Sequence, residues 1–213
     1  MASTTTTAVA TQGGRSSQAT GRLAAKATAA DRASRSGIWV GLFAITMSFM
    51  AFTSALFVRE GSLDWGHLVL PSILYLNTFV LLASSGTFEL ARRQMTAAAD
   101  GKIQSSEPGK VWMLVTLALG LGFCRGQYTA WQSLQAHGVY LATNPNSSFF
   151  YVLTFIHVLH VVGGIAALAY LLLKTMFRHG SVLRSFLENT AIYWHFMGVL
   201  WVYLLLLCRV KLQ

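Results

Sequence analysis

The side chains of this 213-residue chain best suited to chemistry are His157 and His160, spaced i, i+3 in the phrase FIHVLHVV. On a helix that spacing puts both imidazoles on one face, as two ligands of one metal ion would require. A metal or haem site needs further donors. His67 stands at the edge of a separate apolar run, and His195, in YWHFMG, has no carboxylate at ligand spacing. The sequence favours a structural use, with neutral imidazoles bridging helices by hydrogen bonds. Arg125, in GFCRGQYTAW, is a cation inside an apolar run, flanked by Gly122 and Gly126. Its long stem can snorkel to the nearer interface, where a phospholipid phosphate or the loop acids Glu60 and Asp64 are candidate partners. Glu89 and Glu188 stand at the ends of apolar runs, where a carboxylate stays hydrated at little cost. Cys124 and Cys208 lie far apart in apolar stretches and read as packing residues. No Ser-His-Asp set, phosphate-cradling glycine loop or paired catalytic carboxylate is evident.

The elements that must position these residues are spans. Only 11% of the chain is charged, against about 25% in soluble domains, and 54% is hydrophobic in long blocks. Five blocks, 37–58, 66–88, 111–131, 149–173 and 190–208, have the ~20 residues that cross ~30 Å of hydrocarbon. All but the third lack Asp, Glu, Lys and Arg; the third carries Arg125. The formal charge of +9 reflects topology, not affinity for nucleic acid. Twelve of the 16 basic residues fall before the first span, between the second and third, or between the fourth and fifth. Arg59, Arg209 and Lys211 fall on the other side. By the positive-inside rule the N-terminus is cytoplasmic and the C-terminus outside. Residues 1–36 are rich in Ala, Ser and Thr and lack hydrophobic periodicity, which predicts a disordered cytoplasmic tail ahead of a transmembrane domain over 37–213. An organellar transit peptide shares that composition. Trp39, Trp65, Trp112, Trp131 and Trp194 fall near span ends, as interfacial anchors do, and Trp201 lies deeper. The expected fold is an all-α, polytopic bundle of five transmembrane helices in a bacterial cytoplasmic membrane.

Residues 146–164, NSSFFYVLTFIHVLHVVGG, resemble the SxFFxxTGxHGxHV pattern typical of subunit III of haem-copper oxidases. LPSILYLNTFVLLASSGTFELA, LGLGFCRGQ and ENTAIYWHFMGVLWVYL follow in the family's order, and five helices resemble its short bacterial form. Position by position the resemblance picks out Asn77, Thr78, Ser84, Ser85, Gln127, Ser148, Phe150, Tyr151, Thr154, His157, His160, Glu188, Trp194, His195 and Trp201. It implies that this chain holds no redox cofactor. Haem and copper would belong to partner subunits I and II, with a small subunit IV as a further partner. The implied role is to pack beside subunit I, bind phospholipid and sustain proton uptake. Met47 stands where relatives place a buried Glu, Ala130 where a Glu follows the Gln, and Gly198 where HFxD has its Asp. Phe155 and Val158 replace two glycines, and Tyr151 a Phe. A scaffold role in a cytochrome c oxidase therefore fits better than proton buffering. A quinol oxidase subunit, a protein associated with nitric oxide reductase and an independent transporter are the alternatives.

Overall fold

In the computed structural model the described residues are 6–59, 70–102, 107–141, 144–177 and 184–211, with side chains from Arg32 onward. They form five helices: α1 (Thr6–Arg59), α2 (Ile73–Ala99), α3 (Glu107–Ala136), α4 (Pro145–Phe177) and α5 (Arg184–Lys211). Four are long and apolar enough to span a membrane: α1 over Arg32–Arg59, α2, α4 over Pro145–Met176, and α5. The third expected span is helical over 30 residues, but its glycines, Arg125 and Gln127 lower its hydropathy below that of the others. Packing accommodates it, because small and polar side chains on α3 face other helices. Position 37 is not a helix start: helical backbone begins at Thr6, in an alanine-rich stretch of high helix propensity.

The buried positions of α2 are Leu74, Asn77, Leu81, Ser84, Phe88, Ala91 and Met95; those of α3 are Gly109, Met113, Thr116, Gly120, Phe123, Gln127, Ala130 and Leu134. Both alternate three- and four-residue steps, the seam of a left-handed antiparallel pair. Small residues bring the backbones together. A Cβ on Gly126 would fall inside the Asn77 amide, whereas one on Gly122 meets nothing within 4 Å.

Each helix end is built locally. Gly101 (φ 69°) and Gly138 (φ 77°) close α2 and α3 in the left-handed conformation. Lys102 N donates to Ala97 O and Val139 N to Leu134 O, giving Schellman turns at both ends. At the start of α4, Pro145 takes the first helical position, and Ser147 Oγ accepts from Asn144 N at 3.2 Å, half of a capping box. Ser148 Oγ donates to Leu141 O, tying the preceding loop to the helix.

Trp194 is a correction to the anchoring expectation: it is 1% exposed, inside the bundle, as is Trp201. Met47 also differs, since on this chain it is 55% exposed on the outward face of α1 with Trp39, Phe43 and Met50.

Two outcomes follow from this packing and from the charge asymmetry. Gly126→Val should lower the thermal stability of the purified chain by about 1–3 kcal/mol through overpacking against Asn77, while Gly122→Val should be near neutral. Equal loss in both would show that the α2/α3 contact does not limit stability. Single cysteines at Lys102 and His137, both exposed and at opposite ends of α3, should react with an impermeant maleimide from opposite membrane sides in a background lacking Cys124 and Cys208. Labelling of both from one side would end the five-span topology.

Candidate functional site in the bundle interior

Several of the residues singled out by the motifs, Thr78, Ser84 and His157 among them, meet two side chains of α5, seven positions apart. The indole of Trp194 lies where α2, α3 and α4 meet. Its Cη2 is 2.9 Å from where a Cβ on Gly120 would stand, and its Cε3 is 3.0 Å from the equivalent point on Gly164. Its Nε1 donates to Ser84 Oγ at 3.1 Å. Two turns on, Trp201 repeats the bond to α2 but packs against rings where Trp194 has glycines. Its Nε1 donates to Thr78 Oγ1 of α2 at 2.9 Å, Phe123 of α3 meets it edge-on at 5.0 Å, and His157 of α4 stacks on it at 5.1 Å and 30°.

The hydroxyl acceptors share one design. Ser84 Oγ donates to Leu81 O and Thr78 Oγ1 to Leu74 O, so each proton is directed into its own helix and the lone pairs face the indole N–H. Thr154 does the same, donating to Phe150 O while accepting from Trp131 Nε1 at 3.1 Å. Asn77 Nδ2 donates to Phe123 O at 3.2 Å, and Tyr151 OH to Val139 O at 2.9 Å. Phe150 is 1% exposed and meets Tyr151 edge-on.

The histidine pair departs from expectation. Among the described residues neither ring bridges helices by a hydrogen bond. His160 Nδ1 is bonded within α4 to Ile156 O at 2.8 Å, whereas His157 is fully buried and held by aromatic rings on two sides. Contact with the Phe123 and Trp201 rings holds it, in place of polar pairing. Both of its nitrogens, the Gln127 amide and Ser85 Oγ have no hydrogen-bond partner among the described residues. Within the same residues no three His, Cys, Asp or Glu side chains form a group able to hold a metal ion.

Glu89, Glu188 and His195 belong to a second cluster, at the end of the bundle that carries most of the basic residues. Glu89 receives Arg92 and Arg93 at 2.7 Å each, with His195 Nε2 at 3.9 Å. Glu188 joins Arg35 of α1 at 2.5 Å to Arg184 at 3.1 Å, and Arg184 reaches Asp100 beyond α2 at 3.3 Å. Asn189 Nδ2 donates to Ser34 Oγ at 2.7 Å. These carboxylates are therefore ion-paired as well as hydrated. Arg125 is exposed on α3 with its Cζ 5.8 Å from the centre of the Tyr128 ring. Glu60 and Asp64 lie outside the described residues.

Sequence reasoning missed Gly120, Gly164, the Thr87–Thr116 bond at 2.8 Å, the Thr53–Tyr203 bond at 3.0 Å, and Tyr193 OH donating to His160 O. The glycines in LGLG and VVGG were the available signal; the hydroxyl pairs left none, because a lone Thr in a span looks like any other.

Comparison with known proteins agrees with this interior. The family model described as cytochrome c oxidase subunit III matches residues 30–210. The probable cytochrome c oxidase subunit 3 of Mycobacterium tuberculosis (strain ATCC 25618 / H37Rv) is 33% identical over 126 residues, which span 59% of each protein. Quinol oxidase subunit 3 of Bacillus subtilis (strain 168) is 29% identical over 175 residues, 79% of this chain and 82% of the relative. Cytochrome c oxidase subunit 3 of Synechocystis sp. is 30% identical over 178 residues, 81% of this chain and 69% of the relative. With several of its motif residues gathered around Trp194 and Trp201 and a family match running from α1 to α5, the chain belongs to the cytochrome c oxidase subunit III family of the haem-copper oxidases.

Proposed function

We propose that this chain is the non-redox subunit III of a proton-pumping haem-copper terminal oxidase in aerobic respiration, multi-pass in a bacterial cytoplasmic membrane with its N-terminus cytoplasmic. The match over residues 30–210 carries this reading. Haem and copper belong, in it, to subunits I and II; this chain packs beside subunit I, binds phospholipid and supports assembly and sustained proton uptake. The interior supports it. The motif residues direct their donors and acceptors to neighbouring helices, so they fix register and helix separation in a compact bundle. The broad apolar surfaces of α1 and α2, with Phe43, Met47, Leu76 and Phe79 outward, suit contact with subunit I or acyl chains. Relatives named for cytochrome c and for quinol both match, so the proposal is stated for the oxidase and not for its electron donor.

Removing the subunit should impair assembly or prolonged turnover more than the initial rate of oxygen reduction. Oxygen uptake by the purified complex, followed from the first turnovers, measures this. Immediate loss of nearly all activity in a fully assembled, haem-replete complex would refute it. Met47, a thioether on the outward face of α1, gives a second outcome. A hydrophobic carbodiimide should modify no residue in 37–58, and peptide mapping that finds an adduct there would contradict the reading.

A further inference from the structure

Arg125 lies in the apolar part of α3, six residues before Trp131 and so about 9 Å below it along the helix axis. The Tyr128 ring, with its centre 5.8 Å from the guanidinium carbon, offers the cation its negative face. A ring face leaves most of the five N–H donors of arginine unmet, and unmet donors in hydrocarbon are costly. The described carboxylates cannot meet them. Glu89, Asp100, Glu107 and Glu188 pair with Arg92, Arg93, Arg35, Arg184, Lys102 and Lys110 at the other end of the bundle.

The surface around Arg125 identifies an acceptor. The exposed positions Leu114, Leu121, Gly122, Arg125, Tyr128 and Gln132 follow one face of α3. That face is apolar at depth, cationic and aromatic above, and polar at the helix end, which is the gradient of one bilayer leaflet from acyl chain to headgroup. A Cβ on Gly122 would meet nothing within 4 Å, so the turn below the guanidinium is a notch in which a chain can lie.

We propose that Arg125 is a phospholipid-binding residue, its guanidinium held by Tyr128 and donating a forked pair of hydrogen bonds to the phosphodiester of an outer-leaflet lipid. The planar fork matches two phosphate oxygens, as an ammonium would not. An acyl chain of the same lipid runs past Leu121 and Gly122. The inference names one site for the lipid binding proposed above; it requires a bilayer around the bundle but no oxidase assembly, so the two readings fail separately.

The test uses the full chain with 13C,15N-arginine in vesicles of phosphatidylglycerol and phosphatidylcholine, reading 31P dephasing of the arginine Cζ signals by solid-state NMR. Subtracting the spectrum of Arg125→Gln isolates this residue, and Arg125→Lys gives the same subtraction with the charge retained. The expected result is a dephased Arg125 signal, weakened in Tyr128→Leu. Four results overturn the proposal: no dephasing; dephasing that survives in phosphorus-free glycolipid vesicles supplied with inorganic phosphate, which makes the ligand a free anion; contact of Arg125 with a 13C-labelled Glu60 or Asp64 carboxylate in place of phosphorus; or, in the assembled complex, contact with a carboxylate of another subunit.

Discussion

The indole of Trp194 fits between α3 and α4 because two glycines, Gly120 and Gly164, leave their Cβ positions empty against its edge. In lipid there is no hydrophobic drive to bring helices together, since acyl chains solvate Leu as well as a protein interior does. Association then rests on close van der Waals contact and directed hydrogen bonds. A large flat side chain between glycines gives the first, and its N–H on Ser84 gives the second. A Cβ at either glycine would crowd the indole, and a larger side chain would force α3 or α4 away from α5. Trp201 repeats the bond to α2 about 10 Å further along α5, two turns at ~1.5 Å per residue. This is why half of the central part of α5 is buried, against 22–33% in the other apolar spans. It serves as the axis on which the other helices are registered.

The two ends of the bundle are held by different electrostatics. At the basic end, Glu188 links Arg35 of α1 to Arg184 of α5, and Arg184 reaches Asp100 at the close of α2. An isolated exposed ion pair contributes about 0–1 kcal/mol, but a network shared by three helices also sets their relative positions. At the other end the cations lie over aromatic rings: Arg209 at 5.9 Å from Tyr75, Lys211 at 4.5 Å from Phe57, and Arg125 over Tyr128. Carboxylates tie α1, α2 and α5 together at one end, and rings steady cations near the membrane surface at the other.

How much of this was legible in the sequence depended on whether the signal was one of composition or of direction. Apolar blocks located α2, α4 and α5 and the paired positions of the SxFF and HxxH phrases. They did not show that Trp194 points inward, because hydropathy gives depth in the membrane and not azimuth around a helix. The same limit left the direction of Met47 open, and the structure turns it outward. The start of α1 was missed for another reason: lack of hydrophobic periodicity predicts lack of packing, yet alanine-rich chain is helical by propensity alone. The Ser and Thr acceptors were recoverable only through the family motif, since a hydroxyl in a span most often bonds its own backbone and becomes interhelical only when a donor faces it.

The polar interior is unevenly satisfied, and the unevenness has a structural meaning. At Trp194 the indole N–H is matched by Ser84, and two glycines give close contact, although Ser85 Oγ nearby has no partner among the described residues. Between α3 and α4 nearer Trp201, the Gln127 amide and both His157 nitrogens are buried without partners among the described residues. Phe123 touches His157, and Gln127 follows Phe123 by one turn on the buried stripe of α3. A buried group left unsatisfied costs about 1–3 kcal/mol, so this level is the less stable part of an otherwise closely packed bundle. Further along, at its own start, α4 is tethered by Ser147, Ser148 and Tyr151 to the carbonyls of Tyr140, Leu141 and Val139. The bundle therefore joins a level held by hydrogen bonding and glycine contact at Trp194 to one held mainly by ring contact among Phe123, His157 and Trp201.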